Sequence, residues 1–110
     1  MLTKLAVLFL VLPAVHLATF DDCYDKANSC WKKTPECRED IYRKEKRHTI
    51  SGAACQQWDK DTPHQHHHHK YGNISECRNP DKVSGPWCYT TDIVKRWEYC
   101  FHICGEATGV

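Results

Sequence analysis

Residues 77–104 carry the stretch on which the fold turns. It reads Cys77-Arg78-Asn79-Pro80-Asp81, then Gly85-Pro86-Trp87-Cys88-Tyr89-Thr90-Thr91-Asp92, then Arg96-Trp97-Glu98-Tyr99-Cys100, and ends on Cys104. Aromatic and β-branched residues cluster at 87–91 and 96–100, a pattern of two short strands, while Pro80, Gly85 and Pro86 mark turns between them. Upstream, Glu39 to His48 is charged without an apolar face, so a stable helix is not expected there. These signals predict a small disulfide-rich fold, mostly irregular, with short antiparallel β-strands.

Composition sets the same bounds. The chain has 110 residues, 26% of them charged, a formal net charge of +1 and eight cysteines. That length holds one small domain. It excludes a large enzyme core, and the balanced charge excludes a strongly basic nucleic-acid binder. Cysteine at this density belongs to an oxidising compartment and a covalently stapled fold. Lys4 followed by Leu5-Ala6-Val7-Leu8-Phe9-Leu10-Val11-Leu12 and Pro13 reads as a secretory signal peptide over residues 1–18, too short to span a bilayer. Removing it leaves a formally neutral chain that keeps every cysteine. The expected organisation is an N-terminal extension over 19–36 with an extra cysteine pair, a domain over 37–104 and a tail over 105–110.

The last six cysteines are spaced C-x17-C-x21-C-x10-C-x11-C-x3-C. Six cysteines permit fifteen pairings, so spacing alone decides nothing. The residues around them say more. Tyr42-Arg43, Thr49-Ile50-Ser51-Gly52, Cys55-Gln56-Gln57-Trp58 and Thr62-Pro63-His64-Gln65-His66 precede the stretch quoted above, in that order. The series resembles a kringle domain over Cys37 to Cys104. The resemblance implies the kringle fold and the pairs Cys37–Cys104, Cys55–Cys88 and Cys77–Cys100. It leaves Cys23 and Cys30 outside the frame, with a local Cys23–Cys30 bridge as their simplest fate. The stretch from Cys55 to Cys77 is several residues shorter than in familiar kringles, and Ser75-Glu76 replaces the usual Asn-Tyr.

The resemblance also implies binding rather than catalysis. The family's best-understood site grips a lysine: two carboxylates face the ammonium, aromatic walls hold the stem, and a cation meets the carboxylate. Carried over by position, Asp81 is the first acid, Trp87 and Trp97 are the walls, Tyr89 is a further aromatic and Arg96 is the cation. Val83 stands where the second acid belongs. The expected site is therefore a degenerate lysine-binding-type trough, with an extracellular protein as partner and no cofactor. No Gly-x-Ser-x-Gly elbow, His-Glu-x-x-His helix or phosphate-cradling glycine loop points to an enzyme.

Three other features offer alternative chemistry. His64, His66, His67, His68 and His69 crowd one loop and are of a type that binds zinc, copper or nickel. His64 and His66 match the family's Pro-His-x-His, so only the other three are surplus to it. Arg43-Lys44-Glu45-Lys46-Arg47-His48, with Lys32 and Lys33, is a candidate patch for a heparin-like glycan. Asn73-Ile74-Ser75 is an acceptable N-glycosylation sequon. A structural kringle that modulates a protease system, without a small-molecule site, is the remaining alternative.

Overall fold

A chain with so few periodic segments must satisfy its backbone through turns and isolated bridges. The computed structural model of the protein describes residues 18–41 and 44–106. The expected signal peptide up to residue 17, the Tyr42-Arg43 pair and the last four residues of the tail lie outside the described residues. The first ordered element is a single turn, α1, Phe20–Cys23, started by a capping box between Thr19 and Asp22. Strands β1, Tyr24–Asp25, and β2, Cys30–Trp31, form an antiparallel hairpin in which Tyr24 faces Trp31 and Asp25 faces Cys30. Its turn is held by the Asp25 carboxylate, which accepts from the backbone N–H and side-chain amide of Asn28 at 3.2 and 2.8 Å. Those bonds, the side-chain one foremost, hold Asp25 below the usual carboxylate range.

The second hairpin lies in the stretch that decides the fold. Strands β3, Trp87–Tyr89, and β4, Trp97–Tyr99, pair antiparallel, with Trp87 opposite Tyr99 and Tyr89 opposite Trp97. Buried Thr90 turns the chain between them: its hydroxyl accepts from Asp92 N at 3.0 Å and donates to Lys95 O at 2.5 Å. The other edge of β3 is closed by reciprocal backbone bonds between Arg78 and Trp87 at 2.9 and 2.8 Å. Two disulfides, Cys55–Cys88 and Cys77–Cys100, cross the centre. They lie against each other, with Cys55 Sγ 3.7 Å from Cys77 Sγ.

The outer pairing differs from the expected one. Cys30, not Cys37, is bonded to Cys104, and Cys37 is bonded to Cys23. The reason is backbone register. Trp31 N donates to His102 O at 2.7 Å and Cys104 N donates to Trp31 O at 2.9 Å, so residue 30 is laid beside residue 104, Cα to Cα 4.9 Å. The β1–β2 register puts Asp25 opposite Cys30, two positions along from Cys23, so a Cys23–Cys30 bridge has no partner geometry. Cys37 is drawn in instead by the Trp31 indole N–H, which donates to Cys37 O at 2.9 Å. The segment expected as an extension is therefore part of the packed unit. Fully buried Trp31 stacks on Phe101 at 4.9 Å and meets Phe20 edge-on at 5.9 Å. Gly85 fits under this cluster because a Cβ there would stand 2.8 Å from Ile103 and 3.0 Å from Trp31.

A polar network ties the loops together around Asp40. Its Oδ1 accepts from Arg78 Nε at 3.2 Å and from Asn79 N at 3.0 Å, and its Oδ2 accepts from the Tyr71 hydroxyl. Burial alone would raise this carboxyl, but the bonds from Tyr71, Asn79 and Arg78 outweigh it and hold Asp40 low. Burial and the same carboxylate push the Tyr71 phenol up. A folded-state pKa below the unfolded one contributes stability that is complete above the ordinary carboxylate range and is lost as pH falls through the depressed value. Asp40→Asn is expected to cost about 1.5–3 kcal/mol at neutral pH. It should also lessen the acid-induced fall in melting temperature below pH ~4. Thermal melts of both proteins from pH 7 to pH 2 check this. An unchanged acid limb in the variant would assign that sensitivity to other carboxylates.

Candidate functional site

Residues i and i+2 of a strand share a face. Trp87 and Tyr89 of β3 therefore project together, with rings 5.0 Å apart, and Trp97 of β4 joins them, its ring 5.8 Å from that of Trp87. Beneath them lies buried Trp58, which meets Trp87 at 5.4 Å and Tyr89 at 5.6 Å and donates its indole N–H to Glu76 O at 2.7 Å. The opposite wall comes from the turn at 79–83. Buried Asn79 clamps it: its Oδ1 accepts from Val83 N and its Nδ2 donates to Val83 O, both at 2.9 Å. This bends the chain through Lys82 at φ 54°. It leaves Asp81 and Val83 facing the tryptophans, while Lys82 turns away to pair with Glu39 at 3.0 Å.

The result is a cavity of about 300 Å³ lined by Asp81, Val83, Trp87, Tyr89, Arg96 and Trp97. All five candidate ligand-binding residues named from the sequence thus border one space, and Val83 borders it too. Arg96 places its guanidinium 5.1 Å from the centre of the Tyr89 ring. Burial raises the Tyr89 phenol, and the Arg96 charge offsets part of that rise. Trp97 remains 46% exposed at the rim, and Ile93 and Val94, in the turn between β3 and β4, are 78% and 90% exposed. A larger opening, about 420 Å³, lies between the β1–β2 turn and residues 102–106. Asp25, Asn28, His102 and Glu106 line it beside Ile103 and Cys104, with no tryptophan or tyrosine ring.

The histidine loop does not converge on one point. His64 is buried, its Nε2 bonded to Asp92 O at 2.8 Å, and its backbone is held by Gln56. His66 is buried and stacked between Tyr89 at 4.4 Å and His69 at 4.5 Å. His67 is exposed, and His69 Nε2 bonds Asp61 Oδ1 at 2.7 Å. His68 reaches back to the trough, with Nε2 3.3 Å from Asp81 Oδ2. Sequence reasoning missed that contact, since twelve residues without strand or α-helix periodicity separate the two. Asp61, His66 and His69 bring potential ligand atoms within 4.8 Å of one another. However, His66 Nδ1 accepts the His68 N–H at 2.9 Å, which leaves the proton of the neutral ring on Nε2 and no lone pair for a metal.

Within the basic run Lys44, Arg47 and His48 are exposed, and Arg43 lies outside the described residues. Lys44 lies over Phe20 at 4.7 Å, Lys46 lies 5.5 Å from the Phe101 ring centre, and Lys33 pairs with Glu106 at 3.7 Å. Asn73 is exposed in the bend after Gly72. No helix among the described residues is long and apolar enough to cross a membrane.

Comparison with known proteins agrees with this architecture. The family model for the kringle domain matches residues 30–104, beginning and ending on the cysteines that the structure joins. A human (Homo sapiens) apolipoprotein(a)-like protein is 57% identical over 58 residues, 47% of this chain and 44% of that protein. Plasminogen of Capra hircus is 37% identical over 84 residues, 71% of this chain and 65% of that protein. The chain spans less than two thirds of the length of either relative. Four disulfides, two of them crossed at the centre, two short antiparallel hairpins and a match over 30–104 together place this chain in the kringle family.

Proposed function

We propose that this chain is a secreted, non-catalytic recognition module that docks a protruding side chain or chain end of an extracellular protein in the trough between Asp81 and Trp97. The observation that carries this reading is the single cavity that gathers three aromatic rings, one acid and one guanidinium from two hairpin strands and two turns. Aromatic walls supply contact area at low entropic cost, and the two charges orient what enters. The disulfide density supports an extracellular setting, and the exposed Asn73 sequon suits a glycan-bearing surface.

The trough is tested by titrating the protein with 6-aminohexanoic acid and with hexanoic acid while following tryptophan fluorescence. Saturation by at least one of them at millimolar or lower concentration is expected. Trp97→Ala, at a half-exposed position, should keep the fold and weaken that binding about tenfold or more through lost apolar contact. A flat titration with both probes would remove the trough as a ligand site.

A further inference from the structure

Resting on the trough reading, the structure points to its ligand class: we propose that the site selects a carboxylate on an apolar stem, the C-terminal residue of a partner protein, over an ammonium. The charges and donors around the trough are unequally committed. Asp81, the only acid on the wall, is engaged by His68 at 3.3 Å, so an incoming ammonium has to displace an imidazole. Val83 contributes no charge where a second acid would share the cation. Lys82 is taken up by Glu39 outside the cavity.

The donor side is open. Among the described residues no carboxylate lies within ion-pair distance of Arg96, whose guanidinium rests on the Tyr89 ring, hydrogen-bonds the Tyr89 hydroxyl and keeps further N–H groups to offer. A guanidinium with N–H groups to spare beside an apolar wall calls for an anion with two acceptor oxygens. The remaining walls, Val83 and Trp97, are apolar and suit an aliphatic or aromatic stem. The turn that joins β3 and β4, the strands that carry the aromatic walls, exposes Ile93 and Val94 as apolar surface for the residues preceding a chain end.

Three six-carbon probes at pH 7.4 separate the possibilities by calorimetry: hexanoate, hexylamine and 6-aminohexanoic acid. Hexanoate should bind at least about tenfold tighter than hexylamine, and the added ammonium of 6-aminohexanoic acid should bring no gain. Arg96→Gln should erase the preference for hexanoate. A pentapeptide ending in leucine should bind at least about tenfold tighter as the free acid than as the C-terminal amide. Tighter binding of hexylamine or 6-aminohexanoic acid than of hexanoate would overturn this selectivity and leave the trough itself standing. Equal binding of the two peptides, with hexanoate still bound, would overturn the chain end as ligand in favour of a free carboxylic acid. Saturation by none of the probes would overturn both the selectivity and the trough.

Discussion

Val83→Asp is expected to tighten the binding of 6-aminohexanoic acid and of hexylamine by about ten- to a hundredfold. The effect equals one added charge-assisted hydrogen bond to an ammonium, roughly 1.5–3 kcal/mol. The position is favourable because the backbone of residue 83 is clamped on both its N–H and C=O by Asn79. A new carboxylate would therefore stand on the cavity wall without the chain shifting. It would also be free to act, since His68 engages Asp81 and Lys82 engages Glu39. The same change should weaken hexanoate by like-charge repulsion, so the variant reverses the order of the two singly charged probes. Fluorescence titration of both proteins measures it. No gain for either amine would mean that residue 83 does not face the ligand.

The second large effect concerns the outer frame. Joint replacement of Cys30 and Cys104 by serine is expected to cost about 4 kcal/mol, the loop-closure entropy of a crosslink spanning 74 residues on the chain-entropy model. That is a large share of the stability of so small a domain. Joint replacement of Cys23 and Cys37, which span only 14 residues, is expected to cost about 3 kcal/mol. Denaturant midpoints of the two double variants give the order. Peptide mapping of the oxidised protein should recover Cys30 with Cys104 and Cys23 with Cys37. Recovery of Cys37 joined to Cys104 would refute the frame described here.

The cysteines differ in how much their surroundings in the chain reveal of their partners. Cys55, Cys77, Cys88 and Cys100 each sit inside a distinctive local motif, and those motifs identify the central crossing bridges. Cys30 and Cys37 have no such surroundings. Both precede the same Thr-Ile-Ser-Gly segment, and both are compatible with a link to Cys104. The choice between them is made by Trp31, which buries itself on Phe101 and lays its backbone along residues 102–104. Burying an indole is among the larger single gains available to a small domain, and it carries the neighbouring cysteine with it. Nothing in the one-dimensional spacing records which tryptophan is drawn into that position.

The trough divides in the same way. Strand alternation, legible in the sequence, puts Trp87, Tyr89 and Trp97 on one face, while Asp81, Arg96 and the acid missing at Val83 were legible only through the kringle resemblance. Folding alone sets His68 against Asp81, sends Lys82 to Glu39 and lays Arg96 on the Tyr89 ring, away from any carboxylate among the described residues. Strand periodicity is a local property of the chain, repeated every second residue. Charge pairing between irregular loops depends on where the crosslinks bring them, and that is a property of the folded whole.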